Sequence, residues 1–326
     1  MSYGKWGVIL AACLVAGMAK ADDVPEMASV EQFDAWMEEV SNWGRWGDDD
    51  QKGTLNLITP EKRVAAAALV EDGMAVSMAL DLNKTQSDLN ANPFEHTLQT
   101  IEFEGHYAAG DRYAIEYHGY AHSHLDGLPH FSYRGEMYNG VPVAALKETG
   151  SERLGIENAY EGIFTRGVLV DMAWLKGVDY LPADAVITAD DLEEWETRTG
   201  VTIGSGDVLL LRTGRWERMR QNPTDNFLEG AAGFHASVAT WLRDRDVAVI
   251  GCDGISDAIP SRVATKPNAL HELVLVGIGM MIFDNLELDA VAEAAKARER
   301  WEFLFVAAPL RVPGGTGSPV NPLAIF

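Results

Sequence analysis

The stretch His118–His130, HGYAHSHLDGLPH, places four of the chain's eight histidines and one aspartate within thirteen residues. Imidazole and carboxylate are the side chains that borderline divalent metals take as ligands. A lone histidine is ordinarily a satisfied core or surface residue, but crowding of this kind points to a site. Side chains alternate in an extended segment, so His118, Tyr120, His122, His124 and Asp126 would share one face. Gly127 and Pro129 then end the strand, and the turn can carry His130 back toward that face.

Working outward, the flanking sequence reads as alternating strands and helices. Strand patterns fall at Ala75–Leu82, Thr97–Phe103, Tyr113–His118, Gly167–Asp171, Asp207–Arg212 and Val247–Gly251. Helix patterns fall at Ser29–Val40, Pro60–Val70, Thr188–Thr197 and Ala236–Arg245, with Ser29 and Thr188 as caps and Pro60 in a first turn. Leu273–Phe283 is continuously apolar and fits a buried strand pair, with a buried helix as the alternative. The tail Gly314–Pro319 reads as a loop by composition. No linker, charge block or repeat divides residues 22–326, so one α/β domain is expected.

Met1–Ala21 has the form of a signal peptide: Lys5, an apolar stretch from Trp6 to Ala19, and a small-x-small site at Ala19-Lys20-Ala21. The apolar stretch is too short to span a bilayer, and an acidic segment follows it. Leu10–Cys13 has a lipobox shape with little apolar sequence before it, so cleavage after Ala21 is the favoured reading, giving a periplasmic or secreted protein. The mature chain would then hold Cys252 alone, a buried small hydrophobe with no internal disulfide partner. The full chain carries a formal charge of -23. That acidity keeps a protein soluble and repels nucleic acid and anionic membranes, so neither is an expected partner.

His124-Leu125-Asp126-Gly127-Leu128-Pro129-His130 resembles the metal motif HxGTHxDxPxH of the cyclase family, which includes kynurenine formamidases and isatin hydrolases. The resemblance continues through Asn42–Gly47 with Gly53–Asn56, Arg166–Asp171, Leu211–Gly214, Cys252-Asp253-Gly254, His271, Asp284-Asn285 and Gly315–Pro319. It implies a swivelling β/β/α fold, assembled as a homodimer or homotetramer. It also implies metal ligation by His124 and Asp126, with His271 and Asp284 completing a two-ion region and His130 transferring protons. The motif's first histidine is replaced by Tyr120; His122 is the first substitute and His118 the second.

The chemistry follows from the residue types. A metal held by imidazole and carboxylate lowers the pKa of a water from 15.7 toward roughly 7 and polarises a carbonyl. A histidine near its ordinary pKa of about 6.5 can move the proton. The expected activity is hydrolysis of a non-peptide C–N bond in a small amide (an aryl formamide, cyclic imide or lactam) with one or two ions of Mn or Zn. Lactone or ester hydrolysis on the same site is an alternative, as is an exported metal- or ligand-binding protein without catalysis. Trp43, Trp46, Phe131, His235 and Asp253 are candidates for the substrate pocket. No Walker A, GxGxxG or GxSxG pattern occurs, which argues against nucleotide, dinucleotide and serine-hydrolase chemistry.

Overall fold

Four apolar strands running in the same direction form the centre of the computed structural model, which describes residues 25–326; the expected leader lies outside them. These strands are Ile163–Asp171, Val208–Arg212, Val249–Cys252 and Met281–Asp284. Val168–Val170, Leu209–Leu211 and Met281–Phe283 are buried on both faces of the sheet, which is why these segments read as apolar runs and not as alternating patterns. Antiparallel strands extend the sheet on both sides. Glu302–Ala307, Leu323–Ile325 and Ala75–Ser77 continue one edge, and His124–Asp126 and Gly317–Pro319 the other, giving nine strands in a single α/β domain.

Helices connect the parallel strands, and local chemistry sets their ends. Ser29 accepts from the Gln32 amide at the start of Val30–Val40, and Thr59 accepts from Lys62 at the start of Pro60–Ala67. Thr188 and Asp191 form a reciprocal capping box on Ala189–Thr199. Asp171 caps Met172–Lys176 and also receives the buried Arg212 Nη1 at 2.9 Å.

Four segments differ from the sequence expectation, the simplest being Ala75–Leu82, of which only Ala75–Ser77 is strand. Glu272–Ile278 is a π-helical continuation of Ala269–His271, and only Met281–Asp284 is strand. Gly279, at φ +72°, separates the two, so an uninterrupted apolar run holds a helix and a strand that are both buried. The tail is not all loop: Gly317–Pro319 pairs with His124–Asp126. The expected Tyr113–His118 strand is displaced toward the N-terminus. Glu104 and Gly105, at φ +48° and +81°, make a tight turn joining Glu95–Phe103 to His106–Ala114 as a hairpin. That hairpin leaves Leu98, Ile101, Phe103, Tyr107 and Tyr113 exposed. Residues 115–123 are consequently irregular, and the extended face proposed for His118–Asp126 shrinks to His124–Asp126.

The N-terminal segment is locked onto the sheet at Gly53-Thr54. Thr54 donates its N–H to Gly279 O at 2.9 Å and its hydroxyl to Ala248 O at 2.6 Å. Gly53 has φ +56°, and a Cβ there would lie 1.9 Å from Gly279 O. Gly53→Ala is therefore expected to cost roughly 3 kcal/mol, the upper end for single substitutions. Urea unfolding checks this; an unchanged midpoint would contradict the packing.

Candidate metal centre

Sheet register gathers the first three side chains. Asp284 pairs with His124 and Ile282 with Asp126, so His124, Asp126 and Asp284 project from one face while Leu125 and Phe283 fill the other. On the far side Gly317 stands opposite Asp126. A Cβ at Gly317 would meet Leu125 O at 2.4 Å and His118 Cε1 at 3.0 Å, so the glycine leaves the space that the His118 ring occupies. His271, in the last turn before the π-helix, reaches the cluster from the next crossover.

Asp126 is the common point. Its Oδ1 lies 2.7 Å from His118 Nδ1, 3.3 Å from His124 Nε2 and 3.8 Å from His130 Nε2, and its Oδ2 lies 3.5 Å from His271 Nε2. Asp284 Oδ2 is 3.3 Å from the same His271 nitrogen. Three of the rings are anchored from behind. His124 Nδ1 lies 2.8 Å from the His122 carbonyl oxygen, His271 Nδ1 bonds the Asp257 carboxylate, and His118 Nε2 sits 3.0 Å from Thr316 Oγ1. A carbonyl can only accept, so His124 carries a proton on Nδ1, and Nε2 is the nitrogen turned toward Asp126. An outer nitrogen bonded to oxygen and an inner one turned toward the carboxylates is the arrangement of metal-binding histidines.

His130 differs from them. Its ring stacks on His118 at 3.8 Å with an interplanar angle of 4° and meets Phe131 edge-on, and no side-chain hydrogen bond among the described residues fixes it.

The electrostatics follow from burial. Asp126 is fully buried, which disfavours its charge, yet the facing His124, His118 and His271 rings hold its carboxyl well below the usual range. Burial raises Asp284, against the pull of His271. Burial lowers His271, but Asp257 and Asp126 outweigh it and hold the ring well above its ordinary value; His124 is raised by Asp126 in the same way. His130 is pushed down to about 4, chiefly by burial, with Asp126 opposing. A site with this much buried negative charge calls for cations. Asp126 Oδ1 accepts no well-directed hydrogen bond from any of the imidazoles around it. Two triads satisfy a metal-ligand spacing, His118/Asp126/His130 and His124/Asp126/Asp284, and both share Asp126. The donor set therefore fits borderline divalent ions.

The other candidates distribute as follows. His122 lies outside both triads; its ring is buried with neither nitrogen hydrogen-bonded. His118, the second choice for the place of Tyr120, is the ring that reaches Asp126. Phe131 stacks near the cluster, 5.1 Å from His271. Trp43 instead donates to Val276 O within the π-helix and packs on Gly140. Trp46 lies under Arg45. His235 packs edge-on against Trp36 and bonds Ser237. Asp253 is wholly buried and receives the Thr213, Gly214 and Arg215 amides, so it is a structural acceptor and cannot line a pocket. The sequence reading missed Asp257, Ser256 and Thr316, which hold His271, Asp284 and His118. Only Thr316 had a signal, its place in the Gly-rich tail. A groove of about 590 Å³ lined by Leu80, Leu82, Trp216 and Met219 shares Leu89, Tyr120 and Ala121 with a cleft of about 220 Å³ bordered by His118 and His122.

The family model described as a cyclase matches residues 54–257. The chain belongs to the cyclase family. A solved structure described as a novel cyclase is 31% identical, with a TM-score of 0.80, and the match covers 88% of this chain and 99% of that one. Isatin hydrolase A from Labrenzia aggregata, bound to benzyl benzoate, is 15% identical with a TM-score of 0.53, covering 79% and 94%. An isatin hydrolase bound to the product analogue thioisatinate is 17% identical with a TM-score of 0.52, covering 82% and 99%. The last two likenesses concern the fold alone. A comparison with curated proteins finds no match.

The cyclase tail makes a direct test of how the cluster is built. Gly317→Ala should push the His118 ring off His130 while leaving the remote His96 untouched. Imidazole NMR resonances of the metal-free protein would report it, and unchanged His118 and His130 signals would refute the packing role of Gly317.

Proposed function

We propose that this cyclase-family chain is a metal-dependent hydrolase of a small non-peptide amide, of the aryl formamide, cyclic imide or lactam type. The observation that carries the reading is the division of labour among the histidines. Three rings are anchored from behind and turned toward Asp126, and one, His130, is left without an anchor beside them.

His118 and His124 on the Oδ1 side of Asp126, and His271 and Asp284 on its Oδ2 side, would hold one or two Mn or Zn ions. His122 is left for a substrate-facing or auxiliary role, since its ring borders the smaller cleft. When bound, a divalent ion supplies a water acidic enough to ionise near neutral pH and polarises the substrate carbonyl.

The chain's own residues do the rest. His130, neutral at pH 7 because burial lowers its pKa, accepts the proton that water loses as its oxygen bonds the carbonyl carbon. The imidazolium then returns that proton to the departing nitrogen as the C–N bond breaks. Stacking on His118 and an edge contact with Phe131 hold the ring beside Asp126. The groove beside Tyr120, joined to the cleft that His118 and His122 border, is the space that would accommodate the substrate. Export, with Asp22 as the mature N-terminus, completes the reading.

His130→Ala is expected to keep its metal and lose about 10²- to 10⁴-fold in turnover of a formamide and lactam panel that includes isatin. Asp126→Ala is expected to lose metal and turnover together. Elemental analysis beside the assay checks both, and undiminished turnover in the His130 variant would remove its assigned role. Mass spectrometry of the protein exported by a host cell should give a chain starting at Asp22; a retained leader would overturn the export reading.

A further inference from the structure

Arg215 is a buried cation, 3% exposed, that none of the chemistry above uses. Its guanidinium lies 3.7 Å from the centroid of the Phe227 ring and 4.2 Å from that of Trp216. Such a low-dielectric setting strengthens each polar contact it makes and makes an unmade one costly. Nη1 donates to Asn285 Oδ1 at 2.5 Å and Nη2 to the Tyr120 carbonyl at 2.8 Å.

Asn285 follows Asp284 in the chain and extends the bracket. Its Nδ2 donates to Gly119 O at 2.7 Å and His122 O at 3.2 Å, and its carbonyl accepts from Ser123 Oγ at 2.6 Å. The irregular stretch 115–123 has no strand partner, so its buried carbonyls need donors from elsewhere. One guanidinium and one amide supply them at Gly119, Tyr120 and His122. The His122 carbonyl is also the group that sets the His124 tautomer. The bracket therefore touches both sides of the cluster, the loop leading into His124 and the strand end that carries Asp284.

We propose that Arg215 is a positioning residue for the metal centre, acting through Asn285 to clamp the 119–123 loop onto the end of Met281–Asp284 so that His124 and Asp284 meet at Asp126. The proposal rests on the metal reading above. The planar fork reaches the Asn285 side chain and the Asp253 and Tyr120 carbonyls in fixed directions, which a lysine ammonium cannot reproduce. Asn285 has φ +55°, so Asn285→Gly suits the backbone while deleting the bridge.

The test titrates wild type, Arg215→Lys, Asn285→Gly and the double variant with Mn²⁺ and Zn²⁺ against a chelating indicator, with metal-free melting measured alongside. Each single variant is expected to lose about 10- to 100-fold in metal affinity. The double variant should lose no more than the larger single loss, because the two residues act as one unit. Affinity within about twofold of wild type in a folded Arg215→Lys protein overturns the proposal, as do losses that multiply in the double variant. A lowered metal-free melting point with unchanged affinity also overturns it, since that is what a purely structural arginine would give. If Arg215→Lys does not fold, Asn285→Gly alone carries the test at the same thresholds. Wild type that binds neither ion overturns the metal reading and this proposal together, whereas metal-binding wild type with unaffected variants overturns this proposal alone.

Discussion

A carboxylate withdrawn from water must be surrounded by positive charge or by donors, and the architecture around Asp126 answers that demand. Asp126 is 1% exposed, and four imidazole nitrogens face its two oxygens. Each of those rings comes from a different structural origin: the strand that carries Asp126, the irregular loop before it, the turn after it, and a crossover helix over a hundred residues later. The nine-stranded sheet makes this convergence possible. Its parallel centre delivers Asp284 and the approach to His271, and its antiparallel edge delivers His124 and Asp126 in register with Asp284.

Outside this centre the same economy recurs. Buried acids are used as fasteners. Asp253 gathers three successive amides at the start of Arg215–Gln221, Asp207 accepts from both Lys62 and Arg166, and Asp257 takes the amide of Leu270 besides the His271 ring. A chain with so large an excess of acid thus places part of it inside, paired, where it orders loops and helix starts.

Much of this was legible in the sequence. Three of the central strands declared themselves by their apolar runs, the helices by Ser29, Pro60 and Thr188, and the candidate site by its crowd of histidines. The missing parts share a physical cause: they depend on partners distant in the chain. Nothing local marks Gly317 as the residue opposite Asp126, or Arg215 as the donor to Tyr120. Leu273–Phe283 misled because burial on all sides erases the periodicity that separates helix from strand, and only Gly279 marks the change. Tyr113–His118 misled because a two-residue turn at Glu104-Gly105 fixes the hairpin's register and ends its second strand at Ala114. Asp253, a pocket candidate by its place at a strand end, is instead consumed by backbone amides.

The strand Gly317–Pro319 covers the outer edge of His124–Asp126, and Thr316 just before it steadies His118. The edge strand and the cluster therefore share a fate: any local opening that releases Gly317–Pro319 would bare the sheet edge beside Asp126 and take away the seat of the His118 ring in the same event.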